Sequence, residues 1–227
     1  MAPKSPPRRG GTAPRTKRQP PGRSEPRRTQ GERSEATRAA LIAAARRLFA
    51  ERGYAAVGTE EIVHSAGVTR GALYHHFEDK AALLEAAYEQ IEEELTREIA
   101  AGAMADPDPV VALKLGAAAF LDHCLEPEVQ RIVLLDAPAV LGWERWRAIG
   151  AEHGLGLVEA GLTAGMEQGD ISRQPVRPLA HVLMGALDEA AMTVARADDQ
   201  RAARREMEAI LGAILDGLRV RSKREQG

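Results

Sequence analysis

Apolar residues recur along this chain at the spacing of an α-helix, and no strand-like alternation interrupts them. Leu41, Ile42, Ala45, Leu48 and Phe49 form a first stripe, with Arg38, Arg46 and Arg47 outside it. Ser34 reads as an N-cap with Glu35 in the first turn. Arg52 falls in the last turn and Gly53 just beyond, so the pattern predicts a helix over 35–52. Thr59 is then placed to cap a short helix whose buried side is Ile62, Val63 and Ala66. Gly67 supplies a tight turn, and Thr69 is placed to cap a second short helix that points Leu73 and Phe77 inward at i and i+4. Two short helices joined through Ala66-Gly67-Val68 make a helix-turn-helix, although helix-glycine-helix turns are common in helical proteins.

Beyond Phe77 the helical stripes continue. Leu83, Leu84, Ala87, Ile91, Leu95 and Ile99 predict a long helix from Asp79 to about 101. Asp106-Pro107 reads as an N-cap and first-turn proline before a helix over 108–124. Glu126-Pro127 restarts the chain, Pro138 is expected to break it, and a glycine-containing helix is expected over 139–167. Its Gly154, Gly156, Gly161 and Gly165 weaken it intrinsically but permit close packing. Gly169-Asp170 ends it, with a loop over 170–177. The last two stripes are the cleanest: Leu179, Val182, Leu183, Ala186, Leu187, Ala190 and Val194, then Met207, Ile210, Leu211, Ile214, Leu215 and Leu218. The expected fold is all-α. A basic tail over 1–33 precedes a three-helix helix-turn-helix domain over 34–79, a helical domain over 80–221 and a short tail over 222–227.

Composition narrows the function classes. The formal net charge is −2, yet residues 1–34 hold ten Lys/Arg and two Glu, about +8, which leaves about −10 on the remainder. That segment also holds seven prolines and almost no large apolar side chain, so it is expected to be disordered and to attract phosphates without reading sequence. Its bland alternative is a solubilising extension. Cys124 is the single cysteine, which excludes an internal disulfide and suits a reducing cytosol. No apolar run approaches the roughly 20 residues of a membrane span. No h-region marks a secretory signal, and Arg8-Arg9 lacks the hydrophobic segment of a twin-arginine signal. A cytoplasmic protein with no membrane partner is expected. There is no G-x-S-x-G, no phosphate-cradling loop and no metal-ligand cluster, so no catalytic residue, cofactor or metal is assigned. His75 and His76 are adjacent on a helix, about 100° apart, and so chelate poorly.

Residues 35–84 resemble one family. Phe49-x-x-x-Gly53-Tyr54, Thr59-x-x-Ile62-Val63, Ala66-Gly67-Val68, Gly71-x-Leu73-Tyr74-x-His76-Phe77 and Lys80-x-x-Leu83 look like the DNA-binding domain of TetR/AcrR-type regulators. The resemblance implies that Thr59, Tyr74, His76 and Lys80 hold phosphates while Arg70, Gly71, Ala72 and His75 face bases, with Thr69 at the helix start. The residue chemistry agrees: Arg70 can pair bidentately with a guanine edge, Ala72 can touch a thymine methyl, and small residues let the helix approach the groove floor. Glu60 stands where relatives often carry a basic residue, so it is not expected at a phosphate. Tyr74 and His76 could instead pack partly into the core, and His64 is expected to be simply exposed or packed.

The same resemblance implies a homodimer through the last two helices, with Gly185 and Gly212 allowing close approach, on a palindromic double-stranded operator. The competing reading buries both stripes within one subunit. It further implies an apolar cavity for an unknown small-molecule effector. Phe120, Trp143, Trp146, Met166 and Met184 are the candidate lining residues, and His123, Cys124 and Asp136 are possible polar contacts. Such residues are more often core than pocket, and Cys124 reads most simply as a small buried side chain. The leading function is a repressor released by a small apolar effector. The alternatives are a DNA-binding regulator without an effector, or an activator.

Overall fold

The computed structural model describes Met1, residues 29–103 and residues 106–220; expectations for residues 2–28 and 221–227 lie outside it. Among the described residues the regular structure is helical, joined by short turns and loops, apart from an isolated antiparallel bridge between Ile171 and Arg219. Helix α1 spans Gln30–Arg52. Its N-cap is Thr29, not Ser34. The Thr29 hydroxyl accepts from the Glu32 amide at 3.2 Å while the Glu32 carboxylate accepts from the Thr29 amide at 2.7 Å. This capping box satisfies donors at the helix start and carries the helix back through residues 30–33, beyond the 35–52 that the apolar pattern predicts. At the other end Gly53, at φ 80°, turns the chain into a short 3₁₀ turn at Tyr54–Ala56.

Helices α2 (Thr59–Ala66) and α3 (Arg70–His76) follow. Thr59 begins α2 rather than capping it; the cap is Gly58. Gly67 takes the left-handed conformation at φ 67° between the two, and Thr69 caps α3 by accepting from the Ala72 amide at 3.2 Å. The long α4 (Lys80–Ala103) buries Leu83, Leu84, Ala87, Ile91, Leu95 and Ile99, as its stripe predicted, and also Tyr88 and Glu92.

Helix α5 spans Pro109–His123. Asp108 is its cap, accepting from Val110 and Val111 at 2.9 and 3.2 Å, with Pro109 in the first turn; the expected pair Asp106-Pro107 lies two residues too early. Next, Val129–Asp136 forms a π-helical segment that runs directly into α6 (Ala137–Leu141). Pro138 does not break the chain. It sits in the first turn of α6, where a missing amide proton costs little. The break falls at Gly142, φ 82°, before α7 (Trp143–Gln168). Helices α8 (Val176–Arg196) and α9 (Gln200–Gly217) complete the fold.

One large core joins α1, α2 and α3 to α4, the π-helical segment and the start of α7, and two smaller cores lie among α5, α7, α8 and α9. Arg145 on α7 fastens that helix to α4 through Glu85 and Glu89, at 2.7 and 3.0 Å. The α7 glycines do allow close packing at two points: a Cβ on Gly161 would stand 2.7 Å from Leu113 Cδ2, and one on Gly165 2.6 Å from Ile171 Cδ1.

Candidate nucleic-acid interface and internal cavity

The helix-turn-helix is held from beneath by Ile62, Val63, Leu73 and Phe77, all buried against Leu48, Phe49 and Val57. Leu73 and Phe77 therefore point inward as their i, i+4 spacing required. The opposite face of α3 presents Thr69, Arg70, Gly71, Tyr74 and His75 to solvent, with Ala72 and His76 half-buried at its edges. Thr59 is half-buried at the start of α2, and His64 is exposed. His76 lies between the His75 ring, at 5.1 Å, and the Phe77 ring, at 6.4 Å. No group of three His, Cys, Asp or Glu side chains that could hold a metal occurs among the described residues.

Two candidate contact residues already have partners within the chain. Arg70 Nη1 donates to Glu60 Oε1 at 2.8 Å, with its guanidinium over the Tyr74 ring at 5.6 Å. Both charges stay largely in water, so the pair is weak and easily exchanged for another acceptor. Lys80 donates from Nζ to the carbonyls of Tyr54 and Val57, at 2.8 and 2.9 Å, and sits 3.9 Å from the Tyr54 ring centre. Its ammonium thus supports the turn that carries α2, a role its position in the motif did not announce.

Two further ties bind this unit to the rest of the chain. Arg46 of α1 meets Glu128, next to the π-helical segment, at 2.9 Å and Glu94 of α4 at 2.8 Å. Hydrogen bonding to Glu128 leads the causes that hold the Arg46 guanidinium above its ordinary basicity. Asp136, at the far end of the same segment, accepts from the Tyr54 amide at 2.7 Å.

Between α4, α5, the π-helical segment, α7, α8 and α9 lies a cavity of about 390 Å³. Of the expected lining residues, Phe120, Trp146 and Met184 face it. Trp143 does not: it is 52 % exposed, stacked beside Trp146 with ring centres 4.8 Å apart. Met166 does not either, being packed in the α7–α8 core. The polar candidates also lie elsewhere. His123 turns to Glu126 at 2.7 Å, Asp136 holds Tyr54, and Cys124 is a buried thiol pushed up by desolvation. The polar groups that do line the cavity include Glu92, Asp188 and Arg147, which no motif marked; Glu92 falls on the same α4 face as the apolar stripe and is hidden within it.

The two terminal stripes divide their residues. Leu183, Ala190, Val194, Leu211 and Leu215 are buried within the subunit, while Val182, Ile210 and Ile214 are exposed at 68, 57 and 43 %. Gly212 faces inward, since a Cβ there would stand 3.2 Å from Lys114 Cε, and Gly185 lies near Arg147.

Comparison with known proteins agrees with this architecture. The profile described as bacterial regulatory proteins, tetR family, matches residues 41–87, and that of the tetracyclin repressor-like C-terminal domain matches residues 110–218. The transposon Tn10 TetC protein of Escherichia coli is 30% identical over 149 residues, 64% of this chain and 73% of that protein. The HTH-type transcriptional repressor BepR of Brucella suis is 36% identical over 97 residues, 41% of this chain and 46% of the relative. A solved TetR-family transcriptional regulator from Pectobacterium atrosepticum is 37% identical, with a TM-score of 0.76 over 86% of this chain and 100% of that one. These relatives are regulators of transcription, not enzymes, and no described helix is long and apolar enough to cross a membrane. The chain belongs to the TetR family of transcriptional regulators, proteins that bind DNA operators and act as dimers.

Proposed function

We propose that this chain is a repressor whose dimer reads a palindromic operator through α3 and leaves it when an apolar effector fills the internal cavity. The observation that carries the reading is the double position of the π-helical segment. Its Val133 and Leu134 wall the cavity, while Glu128 and Asp136 at its two ends grip Arg46 and Tyr54 of the DNA-binding unit. A ligand that presses on Val133 and Leu134 favours a different placement of that segment, and the grips carry the change to α1 and to the turn before α2. Such a ligand shifts the equilibrium by no more than its differential affinity for the two arrangements. By reciprocity DNA weakens the ligand by the same factor.

Arg70, Gly71, Ala72 and His75 are assigned to base edges. Thr59, Thr69, Tyr74, His76 and Lys80 are assigned to the backbone, which fixes register without specifying sequence. The dimer contact is assigned to α8 and α9, on the exposed Val182, Ile210 and Ile214. Half-sites one helical turn apart, about 34–36 Å, suit such a dimer.

Fluorescence anisotropy on DNA lying upstream of the gene itself, with competitor DNA at two salt concentrations, tests the first half. A palindromic site bound in excess of competitor supports it, and purely salt-driven binding to every sequence overturns it. Arg46→Met tests the second half. The variant is expected to bind the operator but to respond to effector less than the parent does. An unchanged response removes the π-helical route.

A further inference from the structure

The cavity is not uniformly apolar. Leu95, Ile99, Phe120, Trp146 and Leu187 supply hydrocarbon, but two carboxylates, Glu92 of α4 and Asp188 of α8, open into the same space. Glu92 is 8 % exposed and makes no ion pair among the described residues. Its polar neighbour one turn earlier, Tyr88, donates its hydroxyl to the Trp146 carbonyl at 3.1 Å and stands close enough to Glu92 to temper its charge, though not to balance it. Asp188 has a partial partner: Arg147 Nε lies 3.7 Å from Oδ2, on the side where Arg147 reaches solvent and the Trp143 ring.

A carboxylate buried in hydrocarbon without a counter-ion is costly, and such a group is retained only where something compensates it. Resting on the effector reading above, we propose that the cavity takes an apolar molecule bearing one basic nitrogen, seated with its ammonium group against Glu92 and Asp188. An ammonium has donors for both carboxylates and offsets one of their two charges, with Arg147 standing beside the other. A hydroxyl would satisfy one oxygen and leave the net charge in place. The Trp146 and Phe120 rings in the same wall favour a cation over a neutral group. A metal ion is disfavoured by the absence, among the described residues, of a third ligand beside the two acids. The ionisation behaviour agrees: burial pushes the Glu92 carboxyl up to about 7 and that of Asp188 up to about 6, so an ammonium that replaces a carboxyl proton there sends that proton to the solvent.

Isothermal titration of the full chain with 2-naphthylmethylamine, 2-naphthylmethanol and 2-naphthoate separates the outcomes. The amine is expected to bind about ten-fold tighter than the alcohol, and the carboxylate weakest. Glu92→Gln should remove most of the amine's advantage over the alcohol, with Glu92→Asp retaining part of it. Amine binding near the titration range of Glu92 should also release protons, read from the difference in heat between two buffers. If the alcohol binds as tightly as the amine, or Glu92→Gln leaves the preference intact, the charge assignment is overturned while the cavity still stands as an effector site. If 2-naphthoate binds tightest, Arg147 rather than the acids is the recognition group and the proposal fails. If none of the three binds, the effector reading and this one fall together.

Discussion

Glu60 and Arg70 face one another across the turn of the helix-turn-helix at 2.8 Å, so the side chain assigned to a guanine edge is paired with an acid of its own subunit. Both groups are mostly in water, and the pair contributes little to folding, of the order of 0–1 kcal/mol. Its effect falls on binding. Glu60→Gln releases Arg70 and removes a negative charge that approaches the phosphates, so affinity for all sequences is expected to rise with thermal stability nearly unchanged. Arg70→Ala is expected to lower discrimination between the operator and a single-base variant by about 1–3 kcal/mol. Anisotropy titrations on the matched and mismatched duplexes check both. An Arg70→Ala protein that keeps full discrimination takes Arg70 off the base edges.

Lys80 ties two carbonyls of the 53–57 turn, so its loss acts on the fold before it acts on DNA. Lys80→Met keeps the aliphatic stem over Tyr54 but leaves the Val57 oxygen without its donor and the Tyr54 oxygen with only the long 3.4 Å bond from the Val57 amide. A loss of about 1–3 kcal/mol is expected from half-buried groups left unsatisfied. The urea midpoint measures it. A variant as stable as the parent that nonetheless binds DNA poorly would assign Lys80 to a phosphate alone.

The helices of the DNA-binding unit were legible because each rule used there is local. An i, i+4 pair, a glycine after a helix and a threonine before one act within a few residues. Leu73, Phe77, Gly67 and Thr69 accordingly stand where the pattern put them. α1 starts earlier than Ser34 suggests because Thr29 and Glu32 form a reciprocal cap, a pairing stronger than a lone serine before a helix. Pro138 misled because a proline ends a helix only when its amide proton is needed, and after a π-helical stretch it falls in a new first turn. The cavity was the hardest part. Trp143 and Trp146 are three residues apart and chemically alike, yet one is solvent-facing and the other buried with its indole nitrogen donating to the Val133 carbonyl at 2.8 Å. That difference is set by packing against the preceding π-helical segment and against Tyr88 of α4, and no helical period reports it. Glu92 was invisible for a related reason: a charge on the apolar face of α4 reads as an imperfection in the stripe until its surroundings are known.

Ile210 and Ile214 lie one turn apart on α9 and remain exposed while Leu211 and Leu215 beside them are buried. A helix that buries one apolar stripe and exposes another has a second surface to cover. With that surface assigned to the dimer, Ile210→Glu together with Ile214→Glu places like charges across a two-fold interface and is expected to give monomers in sedimentation equilibrium, with helical content retained by circular dichroism. Because a single half-site is then engaged at a time, operator affinity should fall steeply. A double variant that stays dimeric moves the interface off α9.

Glu92 gives the chain a pH dependence whose sign follows from its burial. Its carboxyl is raised from the ordinary 4.5 to about 7, desolvation being the largest cause, with the Asp188 charge adding to it and Tyr88 opposing. The folded state therefore holds this proton more tightly than the unfolded chain. Below about 4.5 the group is protonated in both states and costs nothing. As pH rises from 4.5 to 7 the unfolded chain ionises first and stability falls; above 7 the full cost is present, up to about 3 kcal/mol for a shift of this size. Asp188, raised to about 6 by its own burial and restrained by Arg147, acts in the same direction. Glu92→Gln keeps the shape and removes the charge, so the variant is expected to exceed the parent by about 1–3 kcal/mol in mildly alkaline buffer and to match it in acid, with a flatter profile between. Urea midpoints measured for both proteins across that range decide the matter: parallel curves would mean that Glu92 is solvated or paired in solution, and the cavity would then lose the unpaired charge on which amine recognition depends.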